Sequence, residues 1–70
     1  MSNFKKGNAY KAINYRTHEV HNVLCNSVRV NHVLFTFSDG TVAKFFAYDS
    51  PFNYTVTARN DKLHLLVKSA

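Results

Sequence analysis

Residues 30–48 read Val-Asn-His-Val-Leu-Phe-Thr-Phe-Ser-Asp-Gly-Thr-Val-Ala-Lys-Phe-Phe-Ala-Tyr, which is two apolar runs joined by Asp39 and Gly40. An Asp-Gly pair between apolar runs is typical of a tight β-hairpin, because the turn needs positive φ and glycine adopts it without steric cost. We therefore predict a hairpin with a two-residue turn at Asp39 and Gly40. This hairpin places the chain in the mainly β class.

The predicted two-residue turn determines which side chains share a face of the hairpin, since side chains alternate along a strand. On the core face the predicted cross-strand pairs are Phe37 with Val42, Phe35 with Lys44, and Val33 with Phe46. On the other face the pairs are Leu34 with Phe45 and Thr36 with Ala43. Because this second face is also apolar, we expect another segment of the chain or a partner to cover it.

A second hairpin is predicted near the C-terminus, with a turn at Asn60 and Asp61, two residue types that tolerate left-handed backbone. The inward residues of this hairpin are predicted to be Tyr54, Val56, Ala58, Leu63, Leu65 and Val67. The outward residues of its return strand are predicted to be Lys62, His64 and Leu66. Residues 49–53 connect the two hairpins, and Pro51 is expected to end a strand there.

The first third of the chain gives one clear strand and one ambiguous segment. Residues 9–15 are predicted to form a strand with Tyr10, Ala12 and Asn14 on one side. Residues 17–28 fit two structures, since their apolar positions have helical spacing but Val and Thr favour a strand. We therefore expect a small antiparallel meander or barrel of four to six strands, with one short helix at 17–26 as the open alternative.

Length and charge indicate one small basic domain. Seventy residues suffice for a single domain, which we place at residues 9–70, after a flexible basic N-terminus at residues 1–8. The formal net charge is +5. A single cysteine, no apolar run of membrane-spanning length and no apolar stretch after the basic N-terminus predict a cytoplasmic protein without a signal peptide.

The polar residues argue against catalysis. Of the four acids, Asp39, Asp49 and Asp61 are explained by turns, so Glu19 alone is left for acid–base chemistry. Two isolated glycines cannot form a phosphate-binding loop. We therefore predict that the protein is not an enzyme and has no cofactor.

The sequence contains one possible set of zinc ligands. His18, His21 and Cys25 would form a three-ligand zinc set only if residues 17–28 were helical. The alternative is that the two histidines are outer-face polar residues and that Cys25 is a small buried thiol, which is the more frequent state of a free cysteine. We predict no metal site.

The aromatic and basic residues that turns and metal binding do not explain predict a binding protein. We expect a protein that docks on another protein and modulates or inhibits it, with a homodimer contact as the alternative for part of that surface. The predicted protein-binding residues are Leu34, Phe45, His64, Leu66, Tyr10 and Tyr15. A small, basic, asparagine-rich chain is also typical of phage or mobile-element products.

A nucleic-acid interface is the alternative to protein docking. Aromatic side chains interleaved with cations can stack bases and neutralise phosphates of single-stranded DNA or RNA. The residues predicted for this role are Lys5, Lys6, Lys11, Arg16, Arg29 and Lys44.

Overall fold

The structure is a computed structural model that describes residues 4–49 and 56–68. The strands within these residues are β1 (Ala9–Asn14), β2 (Val20–Val28), β3 (His32–Phe37), β4 (Val42–Asp49), β5 (Val56–Asn60) and β6 (Leu65–Lys68). Each strand pairs antiparallel with the next one, and β6 pairs with β1 to close a barrel. The predicted small mainly β fold is therefore confirmed, in its barrel form and at the upper end of the predicted strand number.

The ambiguous segment forms a strand from Val20 to Val28, so the helical alternative at 17–26 does not occur. β2 pairs with β1 on one side and with β3 on the other, which satisfies its backbone groups within the sheet. Val23 and Cys25 are buried while Leu24 between them is 52% exposed, which is the alternation of a strand. A register shift between Cys25 and Ser27 interrupts the β2–β3 ladder as a bulge.

The first hairpin turns through three residues rather than two. The amide of Gly40 donates to the Phe37 carbonyl at 3.0 Å, and the amide of Phe37 donates to the Thr41 carbonyl at 2.7 Å. Gly40 has a φ of +90°, the left-handed conformation that ends this kind of hairpin loop. The Asp39 carboxylate accepts a further hydrogen bond from the amide of Thr41 at 2.9 Å.

The extra loop residue shifts the β3–β4 register by one position, so the predicted pairing is wrong. Val33 lies opposite Phe45, and Phe35 lies opposite Ala43. A shift of one residue turns every side chain of a strand to the other face. Phe45 is therefore fully buried inside the barrel, whereas Phe46 is 55% exposed on the outside.

The second hairpin has a longer loop than predicted but keeps its faces. Asn60 lies opposite Leu65, so residues 61–64 form the loop and the predicted turn at Asn60 and Asp61 is wrong. Leu65 and Val67 are buried as predicted, and Leu66 lies on the outward face. Leu63 lies in the loop and is 46% exposed, so its predicted inward position is wrong. Tyr54 and most of the predicted connection at 49–53 lie outside the described residues.

The core fills the interior of the barrel and reaches beyond β1 toward the N-terminus. Its buried members are Phe4, Ala12, Val23, Cys25, Val33, Phe35, Phe45, Ala58, Leu65 and Val67. Phe4 packs edge-on against Tyr10 and Phe35, with ring centroids 5.2 and 5.5 Å apart. The segment after Phe4 is held to β2, since Gly7 donates its amide to the Cys25 carbonyl at 2.8 Å. Phe4 therefore belongs to the core of the domain that we predicted to begin at residue 9.

Within residues 4–49 and 56–68 there is no helix that is long and apolar enough to cross a membrane.

Candidate protein-binding surface

One row of cross-strand partners runs around the outside of the barrel, and we call it the outer row. In order from β2 through β1, β6, β5 and β4 to β3, its members are Val20, Ile13, Leu66, Arg59, Phe46 and His32. Five of the six row members have a buried neighbour along the strand, such as Ala12 beside Ile13 and Val67 beside Leu66, and Val20 is itself 54% exposed, so the outer row faces outward. Val20 and Phe46 are each more than half exposed. The row is therefore an outward band of mostly apolar side chains that circles the barrel, with Leu66 and His32 only partly exposed, and a partner on one side can contact only part of it.

A groove opens beside the outer row where β5 and β6 meet the loop after β1. Its volume is about 300 Å³, and it is lined by Tyr15, Thr57, Arg59 and Leu66. Arg59 and Leu66 are direct cross-strand partners, so the groove and the outer row share two residues. The groove thus extends the apolar row into a concave site.

Closure of the barrel brings two distant loops together at this groove. The amide of Tyr15 donates to the carbonyl of His64 at 3.0 Å, and the two rings pack edge-on with centroids 5.8 Å apart. The guanidinium of Arg16 lies 3.3 Å from Nε2 of His64, which can accept its hydrogen bond when that nitrogen is unprotonated. His64 has a φ of +57°, a left-handed conformation that is uncommon for a residue with a side chain. These contacts hold the imidazole over Tyr15 in spite of that backbone strain.

Asp61 forms hydrogen bonds with two side chains at the rim of the groove. Its carboxylate accepts hydrogen bonds from the Arg59 guanidinium at 3.0 Å and from the Tyr15 hydroxyl at 3.4 Å. The hydrogen bond and the negative charge of Asp61 raise the pKa of Arg59. The guanidinium and the phenol are therefore held at the edge of the groove by one acid.

Half of the predicted protein-binding residues meet at this surface. Tyr15 and Leu66 line the groove, and His64 packs on Tyr15. Leu34 lies on the outward side of β3 opposite Lys44, next to His32 of the outer row but across the barrel from β6 and the groove. The predicted outward position of Phe45 is wrong, because the register shift buries it. Tyr10 is half-buried against Phe4 and Phe35, so it contributes to the core rather than to this surface.

Sequence reasoning missed Phe46, Ile13 and Arg59. Phe46 would have been found by giving the first hairpin a three-residue loop, since that register turns it outward. Ile13 alternates with Ala12 and Asn14, so its outward position followed from the strand predicted at 9–15. Arg59 follows Ala58, which is predicted inward, so alternation turns Arg59 outward, but only the barrel shows that Tyr15 and Leu66 are beside it.

The cations predicted to bind nucleic acid are spread around the barrel. In the strand order of the closed barrel, β1 with Lys11 and β4 with Lys44 lie on opposite sides. The other four, in the segment before β1 and in the loops after β1 and β2, are Lys5, Lys6, Arg16 and Arg29. Arg16 alone among these six contacts a residue at the groove, through His64. The six cations therefore do not converge on one groove.

The helical metal-ligand spacing does not form, because His18, His21 and Cys25 belong to a loop and a strand. Cys25 is buried in the core, as the alternative interpretation expected, and burial raises the pKa of its thiol. The part of the chain that the structure describes holds no group of three His, Cys, Asp or Glu side chains placed to bind a metal ion.

The fold and the surface together define a small closed antiparallel β-barrel with an apolar band and a groove on its outside. In comparisons with known proteins, no family model, curated protein or solved structure matches the chain.

Proposed function

We propose that the chain is a non-catalytic binding protein that docks on another protein through the groove and the part of the outer row around Leu66, and so modulates or inhibits it. The observation that carries this proposal is the outer row, in which apolar side chains stand on the solvent side of a sheet. A contiguous exposed apolar patch rimmed by polar groups is typical of an interaction site.

The residue types of the surface support a protein partner. Val20, Ile13 and Leu66 are aliphatic, and aliphatic side chains pack against other apolar side chains but offer no ring on which a base can stack. Phe46, Tyr15 and Arg59 are the types enriched at protein interfaces and among their strongest contacts.

Single-stranded nucleic acid is the second candidate, and one observation favours it. Phe46 is exposed between His32 and Arg59, which places an aromatic ring beside two groups that can be positively charged. Such a combination can stack a base and hold its phosphate. Binding of this kind weakens steeply as salt rises, because counterions released from the phosphates drive it.

Site-specific photo-crosslinking tests the proposal. A benzophenone amino acid at position 46 is used to capture partners from a lysate of the organism that encodes the chain, with and without nuclease. The test variant is Leu66→Lys, and the matched control is Leu24→Lys, because Leu24 is also outward and 52% exposed but lies on β2 opposite Thr36. We expect a nuclease-resistant protein adduct that Leu66→Lys abolishes and Leu24→Lys retains.

Other adducts would overturn the proposal. An adduct that disappears with nuclease assigns the surface to nucleic acid, and an adduct of the chain with itself assigns it to a homodimer. Equal capture by Leu66→Lys and Leu24→Lys would show that the outer row does not select the partner. Circular dichroism of each variant verifies that it remains folded.

A further inference from the structure

The charges around the groove are unbalanced. Among the described residues of β5, β6 and the loop between them, Asp61 is the only acid, whereas Arg59, Lys62 and Lys68 are cations. Lys68 lies directly opposite Thr57, one of the residues that line the groove. Arg16 adds a fourth cation from the loop after β1, since it contacts His64.

Asp61 cannot neutralise this group of cations by itself. It is a single carboxylate, and it is already hydrogen-bonded to Arg59 and Tyr15. Glu19, the acid of the loop after β1, lies 3.5 Å from His21 and makes its contact there. The rim of the groove therefore keeps an excess of positive charge, consistent with the net charge of +5 for the whole chain.

The wall of the groove is partly apolar. Leu66 and the ring of Tyr15 line it beside Thr57, and the outer row continues from Leu66 to Ile13. A volume of about 300 Å³ is at the small end for ligand pockets, so it suits one or two side chains of a peptide segment. The site therefore combines space for an apolar side chain with a cationic rim.

We propose that the groove binds an acidic, apolar-anchored segment of the partner protein, which inserts an apolar side chain beside Leu66 and presents carboxylates to Lys68 and Arg59. This inference rests on the proposed function and specifies the chemistry of the partner. Complementary charge of this kind steers association and selects the partner, while the apolar anchor supplies the larger part of the affinity. A single-stranded nucleic acid would share the negative charge but not the aliphatic anchor.

Amide chemical-shift titration of the complete ¹⁵N-labelled chain tests the inference. The probe is a capped peptide of sequence Asp-Asp-Leu-Phe-Asp-Asp. Its two controls are Lys-Lys-Leu-Phe-Lys-Lys, which reverses the charge, and Asp-Asp-Gly-Ser-Asp-Asp, which removes the apolar anchor. We expect saturable shifts at Tyr15, Arg59 and Leu66 with the first peptide alone.

A pair of charge reversals supplies the matched variants. Lys68→Glu places an acid beside the groove, and we expect it to weaken binding of the acidic peptide about tenfold, since reversal replaces attraction with repulsion. Arg29→Glu makes the same kind of change in the loop between β2 and β3 and is expected to alter the affinity less than about twofold. Both side chains are exposed, so the fold should tolerate either change.

The outcomes separate this inference from the proposed function. No saturable shift up to about 1 mM of the acidic peptide, or equal shifts with the basic one, would overturn the inference. If the crosslinked protein is still captured in a manner that depends on Leu66, the proposed function stands and only the partner chemistry is wrong. Tighter binding of a short oligothymidylate at the same amides would overturn both.

Discussion

Ile13 on β1 and Leu66 on β6 are direct cross-strand partners on the outside of the seam that closes the barrel. Three residue pairs hold this seam, and the inward pair next to Ile13 and Leu66 is Ala12 with Val67, both fully buried. The first and last strands therefore share one ladder that is core on its inner side and part of the proposed binding surface on its outer side. A substitution at Leu66 can change binding without opening the core behind it.

Adjacent phenylalanines on β4 should respond in opposite ways to truncation. Phe45→Ala removes a fully buried ring, and we expect it to lower the free energy of unfolding by about 3–5 kcal/mol. Phe46→Ala removes a ring that is 55% exposed, and we expect a loss below about 1 kcal/mol. Urea unfolding followed by circular dichroism measures both values.

Since a chain of this size is marginally stable, Phe45→Ala could unfold it outright. Phe45→Leu is the milder variant, and its loss of stability should still exceed that of Phe46→Leu. A larger loss at position 46 would mean that the hairpin pairs in the register of a two-residue turn.

Gly40 should resist replacement because its backbone is left-handed. Its φ is +90°, although a Cβ at this position would meet no atom within 4 Å. We therefore expect Gly40→Ala to lower the free energy of unfolding by about 1 kcal/mol through backbone strain alone. Ser38→Ala, in the same loop, is the control and should cost less than about 0.5 kcal/mol. Equal effects of the two substitutions would contradict the three-residue loop.

Asp39 should make the stability of the hairpin depend on acid pH. Hydrogen bonds from the hydroxyl and the amide of Thr41 lower the pKa of the Asp39 carboxyl. A carboxyl whose pKa is lower in the folded state stabilises the fold above its ordinary pKa, and this contribution is lost as the pH falls through the lowered value. We expect Thr41→Val to raise the pKa of Asp39 toward its ordinary value, as measured by ¹³C NMR titration.

Unfolding measurements provide the second readout for Asp39. The wild-type chain should lose more stability than Asp39→Asn between pH 6 and pH 2, because asparagine does not titrate. Parallel pH profiles for the two proteins would show that the carboxylate makes no net contribution.

His64 should lower the free energy of unfolding of the chain but strengthen its binding to the partner. It is one of two non-glycine residues with positive φ in the described part of the chain, the other being His18 at +66°. Glycine relieves left-handed strain, so His64→Gly and His18→Gly should each leave the free energy of unfolding unchanged or raise it by at most about 1 kcal/mol. The melting temperature of each variant should therefore be equal to or higher than that of the wild-type chain. His64→Gly should also weaken capture of the partner, since it removes the ring that packs on Tyr15.

His18→Gly is the matched control, because His18 lies in the loop after β1 and lines neither the groove nor the outer row. Unchanged partner capture by both variants would show that the His64 side chain does not contribute to binding.

The two hairpins show that a wrongly predicted loop length changes the face of a side chain only when the register moves by an odd number of residues. In the second hairpin the register moved by four residues, an even number, so Leu65, Leu66 and Val67 kept their predicted faces. In the first hairpin it moved by one, so Phe45 and Phe46 exchanged faces. Local residue types correctly predicted that the chain turns near residues 39–40 and near residues 60–61. These residue types do not specify the number of residues in the loop, so both loop lengths were predicted wrongly.

The sequence by itself determined the mainly β class, which side chains share a face of β1, and the burial of Leu65 and Val67, because alternation of side chains is a local property of a strand. Only the tertiary structure decided that β2 is a strand and that Phe45 is core, since both depend on pairing with a neighbouring strand. It also decided that Tyr15 and His64 meet, because the loops that carry them become neighbours only when β6 pairs with β1.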